Sequence, residues 1–95
     1  MEKTLFNIVD ICHSHKMETT FIRELHANGL IEMIILESEA YIDESQLPRL
    51  EKYANLYYDL QLNMEGLEIV ENLLNRIRDL QQEIQTLRGL DSRYM

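Results

Sequence analysis

The chain has 95 residues, 9 Lys and Arg against 17 Asp and Glu, a formal net charge of −8 and a single cysteine. That length suits one small domain with an extension, and one cysteine excludes an internal disulfide framework and fits a reducing compartment, hence the cytoplasm. The acidity argues against a duplex-binding surface, because nucleic-acid affinity begins with Lys and Arg neutralising phosphates.

From the N-terminus, Met1-Glu2-Lys3-Thr4 lacks the pattern of a signal peptide. Leu5, Ile8, Val9 and Cys12 fall at helical spacing and predict a first helix from about Thr4 to Cys12, with the polar His13-Ser14-His15-Lys16 as a turn. A second helix, about Glu18 to Ala27, buries Met17, Phe21, Ile22 and Leu25 and closes on Asn28-Gly29 with a left-handed cap. Two short helices joined by a turn form a helix-turn-helix unit. Leu30 to Leu36 is rich in β-branched residues and is expected to pair with Ala40-Tyr41-Ile42 across Glu37-Ser38-Glu39, a small hairpin or wing. The run Met33-Ile34-Ile35-Leu36 is the longest apolar stretch, far too short to cross a bilayer. So small a head cannot bury both sides of that strand, so part of it is expected to be exposed and to serve partner or dimer contact.

Asp43 offers a cap, with Gln46 three residues on. Pro48 is placed in the first turn of a third helix that begins near Ser45 or Gln46 and runs to about Leu60. Its expected buried side is Leu47, Leu50, Ala54, Tyr57 and Tyr58, and Gln61-Leu62-Asn63 joins it to the last element. From Met64 to Arg88 a heptad holds without a break, with Val70, Ile77 and Ile84 at a and Leu73, Leu80 and Leu87 at d. Asn63 is the expected N-cap, Glu65, Glu68 and Glu71 suit the positive end of the helix dipole, and Gly89 is the expected stop. Leu67 and Leu74 widen the apolar face near the start, whereas from Ile77 onward the pattern narrows to the seam alone. Such a rod outruns the head that carries it, and its ridge calls for a second copy. β-branched a and Leu d favour two strands if they run parallel; the residues leave orientation open.

The fold expected is mainly α. A winged helix-turn-helix head with a small β hairpin and a connecting helix covers residues 1–62, and a dimerisation helix with coiled-coil pattern and a frayed tail covers residues 63–95. The charge is concentrated in the head. Lys3, Lys16 and Arg23 face nine acids within residues 1–45, among them Asp10, Glu18 and Glu24. A basic protein partner would be attracted to such a surface.

That order of elements resembles the MerR-like winged-helix architecture, which also dimerises through a terminal helix, usually antiparallel. Within it the chain looks like the chaperone-modulator (CbpM-like) family. The resemblance rests on Leu25-His26-Ala27-Asn28-Gly29-Leu30-Ile31-Glu32, on Tyr41-Ile42-Asp43 leading into Leu47-Pro48-Arg49-Leu50, and most of all on Tyr58-Asp59-Leu60-Gln61-Leu62-Asn63-Met64-Glu65-Gly66-Leu67 running into a Leu-rich coil. It covers nearly all of residues 4–88. The resemblance implies a small acidic adaptor that binds the J-domain of a DnaJ-family (CbpA-type) co-chaperone and keeps it from stimulating its Hsp70. Asp10, Glu18 and Glu24 are the head acids expected to meet the basic face of that domain.

Other chemistry finds less support. Cys12, His13, His15 and His26 invite a metal, but tetrahedral zinc wants four ligands converging on one point, and adjacent side chains on a helix diverge. No Gly-rich phosphate loop or nucleophile elbow is present, so the chain is not expected to be an enzyme or to hold a cofactor. The rival reading is a MerR-like DNA-binding transcriptional regulator. Its recognition helix would expose Glu18, Arg23 and Glu24, a poor set for base edges and phosphates.

Overall fold

The computed structural model describes the backbone of residues 4–94 and the side chains of residues 4–89. Glu2 and Lys3 of the acidic segment, and the side chains of the tail from Leu90 onward, lie outside the described residues. In chain order the elements are β1 (Leu5–Asn7), α1 (Ile8–His15), α2 (Thr19–Ala27), β2 (Ile34–Leu36), β3 (Glu39–Asp43), α3 (Leu47–Ala54) and α4 (Met64–Tyr94). Helix dominates, and three short antiparallel strands form one sheet in the order β1-β3-β2. Among the described residues no helix is long and apolar enough to cross a membrane.

The chain opens on a strand rather than a helix. Leu5 pairs with Asp43 and Phe6 with Ile42, so the central strand β3 has already claimed this segment's backbone. Asn7 then ends the strand and starts the helix, its side-chain oxygen accepting the Val9 amide at 2.8 Å. Ile8 and Ile11 form its buried face, Cys12 is half-buried, and Val9 is 49% exposed. His13 and His15 belong to α1, and the turn reduces to Lys16, which caps the helix in the left-handed region with φ of 54°.

The second helix matches expectation closely. Glu18 is its N-cap residue, and Phe21, Ile22 and Leu25 fill its inner face. Asn28 follows as the C-cap, and Gly29 takes the positive φ of 74° that this exit requires. The wing is a tight hairpin in which Leu36 and Glu39 flank a two-residue turn. Glu37 and Ser38 both have positive φ, 49° and 69°, the primed turn that suits the twist of paired strands.

Asp43 accepts the Ser45 amide at 3.1 Å and also bonds the Ser45 hydroxyl, opening a short 3₁₀ turn over Glu44–Gln46. The expected reach of Gln46 back to this cap is replaced by a contact to the wing, where Gln46 Oε1 accepts the Glu32 amide at 3.4 Å. Pro48 lies in the first turn of α3, where its missing N–H costs nothing. The helix then widens into a π-helical turn over Asn55–Asp59. Leu50, Tyr53 and Ala54 are its buried residues, whereas Tyr58 is 39% exposed and Tyr57 is half-buried. Phe21 stacks on both tyrosines, with ring centroids 4.5 and 5.2 Å away, and locks the end of α3 to the start of α2.

One core runs through the head, from Ile8 and Ile11 through the inner face of α2 to Ile42, Leu50, Tyr53 and Leu67. Only the first turns of α4 share in it. Gly89 does not end that helix, which continues to Tyr94. At ~1.5 Å per residue it makes a rod of ~46 Å, and the radius of gyration, 17.5 Å, far exceeds the ~12 Å of a compact domain this size.

Candidate interaction surfaces

Asn63 caps α4 as expected, its Oδ1 accepting the Gly66 amide at 2.8 Å. Leu67 is fully buried against the head, and Lys52 Nζ meets Glu71 Oε2 at 3.0 Å, tying α3 to α4. Burial alone would raise the Glu71 carboxyl. Lys52 outweighs it, with help from the Tyr53 hydroxyl and Arg49, and holds the group below its ordinary range. These contacts use one side of the helix. Of the six seam residues, Val70 is half-buried at its margin, and Leu73, Ile77, Leu80, Ile84 and Leu87 are 48–61% exposed. Leu67 belongs to the head's core and Met64 packs against it, while Val70 and Leu74 are half-buried. Beyond Leu74 no apolar residue of the rod with a described side chain belongs to the head's core or packs against it.

The three head acids occupy separate places. Asp10 is exposed in the first turn of α1. Glu18 is exposed at the start of α2, its amide donating to the Tyr58 hydroxyl at 3.1 Å and its carboxylate accepting from Thr20 at 3.4 Å. Glu24 is exposed on α2, but six residues along a helix puts it roughly 120° around the axis from Glu18. The outward face of α2 is Thr20, Arg23, Glu24 and Ala27, one cation beside one anion.

The wing is where acidity accumulates. Between Arg23 and Arg49 there is no Lys or Arg, and Glu24, Glu32, Glu37, Glu39, Asp43 and Glu44 fall in that interval. Glu39 is held in place, accepting from Asn7 Nδ2 at 3.2 Å and from the Tyr41 hydroxyl at 3.0 Å. The bond to Glu39, with partial burial behind it, raises the Tyr41 pKa. Ile35 and Leu36 are 60% and 47% exposed beside these acids, so half of the Met33–Leu36 run is left open while Met33 and Ile34 are half-buried.

The sulfur and imidazoles are dispersed. Cys12 packs against the core and burial pushes its thiol pKa up. His15 Nδ1 lies 3.3 Å from the Ile11 carbonyl and His26 Nδ1 3.3 Å from the Ile31 carbonyl, while His13 is exposed. Among the described residues no three His, Cys, Asp or Glu side chains gather in a group that could hold a metal. Sequence reasoning missed Tyr53, although Leu50, Tyr53, Ala54 and Tyr57 sit at 0, 3, 4 and 7 and could have revealed it. The Lys52–Glu71 pair had no such signal, being 19 residues apart on different helices.

A helix-turn-helix, a wing on a three-stranded sheet, a connecting helix and a long terminal helix follow one another here, and residues 6–89 match the family described as MerR HTH family regulatory protein. The chain belongs to the MerR HTH family. No curated protein and no solved structure matches it. The match places the chain among regulatory proteins and spans the head and the rod as far as Gly89. The exposed side of α2 carries Arg23 beside Glu24, and residues 24–48 contain no Lys or Arg.

Proposed function

We propose that this protein is a non-catalytic adaptor that binds the J-domain of a DnaJ-family (CbpA-type) co-chaperone in the cytoplasm and restrains its recruitment of Hsp70, working as a homodimer paired through Val70, Leu73, Ile77, Leu80, Ile84 and Leu87. The observation that carries this reading is the sign of the charge on a helix-turn-helix head. Six acids and no Lys or Arg lie between Arg23 and Arg49, along the wing and its approaches, where a DNA reader would place cations. A basic helix is the complementary partner. The resemblance to chaperone modulators arrives at the same class of partner by a separate route. Asp10, Glu18 and Glu24 supply the outer charges, and masking the basic helix sterically is enough to block its next partner.

The rival is a MerR-like DNA-binding transcriptional regulator, for which Lys16, Arg23 and Arg49 would be the cations. One pair of measurements separates the two. Binding of the intact chain to an isolated J-domain is followed by interferometry, and binding to a mixed pool of duplex DNA by mobility shift at low salt. The adaptor reading expects J-domain affinity of micromolar order or better and no retained DNA. Tight DNA binding without J-domain binding would replace it with the regulator.

A further inference from the structure

A cleft of about 390 Å3 opens between the exit of α2, the outer side of α3 and the first turns of α4. Its wall holds Asn28 and Gly29 from the α2 exit, Arg49 and Tyr53 from α3, and Glu68 and Asn72 from α4. The volume is that of a small-ligand site, typically ~300–1,000 Å3. Its lining is polar where a packing defect would be apolar.

Three of these groups are left with unmet bonding capacity. Tyr53 is fully buried, and its hydroxyl, although close to the Glu71 carboxylate, makes no hydrogen bond of full geometry among the described residues. Buried polar groups are nearly always satisfied, so an orphan beside a cavity points to something that fills the cavity. Arg49 and Glu68 carry opposite charges on facing elements, and among the described residues neither has a salt-bridge partner. Glu71, in the same wall, is already committed to Lys52. A cation on α3 and an anion on α4 therefore line one cleft beside Tyr53 and the amides of Asn28, Asn72 and Asn75. Such amides both donate and accept, and Asn28 already donates to the Glu24 carbonyl at 2.8 Å. The site is also independent of pairing between chains. At about 100° per residue, Glu68 lies roughly 150° and Asn72 roughly 110° around α4 from the seam, so the cleft stays open whether or not two copies associate.

We propose that this cleft binds a small zwitterion of the free α-amino-acid class, its carboxylate on Arg49, its ammonium on Glu68, and a polar atom on the Tyr53 hydroxyl. Such a ligand touches α3 and α4 at once, beside the exit of α2. It would brace the head against the rod across the Gln61-Leu62-Asn63 joint, where Gln61 already sits at a positive φ of 57°.

The test uses the full chain and two derivatives of each probe. Thermal unfolding is followed with each free L-amino acid at about 10 mM, and any hit is titrated by calorimetry beside its N-acetyl and carboxamide forms. At least one free amino acid is expected to raise the midpoint by roughly 2 °C or more, and each blocked form to bind about tenfold more weakly or worse. Arg49→Gln should abolish the preference for carboxylate over carboxamide, and Glu68→Gln the preference for amine over N-acetyl. Both side chains lie outside the core, so these variants keep the fold, checked by unchanged circular dichroism. No midpoint shift with any amino acid overturns the proposal. So does equal binding of the blocked forms, or binding that neither variant alters.

Discussion

Tyr53 sits at the centre of the head with a hydroxyl that nothing bonds at proper geometry, although Glu71 is close enough to act on it electrostatically. Burial first, then the Glu71 carboxylate, drives its pKa well above the ordinary phenol value, so the group stays neutral. An unsatisfied buried hydroxyl is a liability, and replacing it by hydrogen leaves the ring packing intact. Tyr53→Phe should therefore be neutral or stabilising by up to about 1 kcal/mol in urea unfolding. A loss of more than about that amount would mean the hydroxyl is bonded after all. Glu71 gives a pH-dependent counterpart. Its folded pKa is depressed, so it contributes stability above the unfolded carboxyl's range and loses it as pH falls through the folded value. The gap between the native chain and Glu71→Gln should be about 1 kcal/mol near neutral pH, should shrink as pH falls through the ordinary carboxyl range, and should close only below the folded value. A gap that persists in acid would assign the effect to packing. Helical spacing places Tyr53 on the buried face, but its coupling to Glu71 comes from an α3–α4 contact that no local pattern encodes. Leu25, Ile22 and Phe21 were legible because one helix face sufficed to place them.

At the scale of elements, α2, the hairpin and the N-cap of α4 could be read from neighbours in sequence: an Asn-Gly exit, β-branched residues around a short turn, and Asn63 before a long apolar repeat. β1 could not. Leu5, Ile8, Val9 and Cys12 keep helical spacing, and only the distant β3, which pairs with Leu5–Asn7, decides that the first three residues extend instead. Tertiary pairing overrode a local pattern. Gly89 failed as a stop for the opposite reason: a glycine weakens a helix without ending it. The hairpin turn provides a test. Glu37 and Ser38 hold positive φ without being glycine or asparagine, so Asn-Gly in their place should stabilise the fold by about 0.5–1 kcal/mol through relief of backbone strain. Unchanged or lower stability would show that the native side chains make compensating contacts.

At the scale of the whole molecule, the question is what covers a ridge that the head leaves open. Leu73, Ile77, Leu80, Ile84 and Leu87 are each about half exposed. Completing the burial of one such side chain is worth roughly 1 kcal/mol, so five from each of two chains supply about 10 kcal/mol. Against this stands the loss of translational and rotational freedom, about 4–15 kcal/mol. The balance predicts a dimer that assembles and separates over an accessible concentration range rather than a permanent one. Sedimentation of the intact chain should accordingly show mass rising toward two copies with concentration. Ile77→Asp combined with Leu80→Asp should hold it at one copy while the head stays folded, since neither side chain belongs to the head's core. A dimer that survives both changes would place the interface elsewhere, with Ile35 and Leu36 of the wing next in line. Pairing also doubles the acidic heads on one particle, which bears on how a basic partner arrives. Opposite charges steer encounter over a Debye length of ~8 Å near physiological ionic strength. The association rate with an isolated J-domain should then fall about tenfold or more from low to physiological salt, with the dissociation rate changing far less. Neutralising Asp10, Glu18 and Glu24 to their amides should flatten that dependence. If the triple variant keeps the full salt slope, the steering charge lies on the wing, and Glu32, Glu37 and Glu44 become the residues to change.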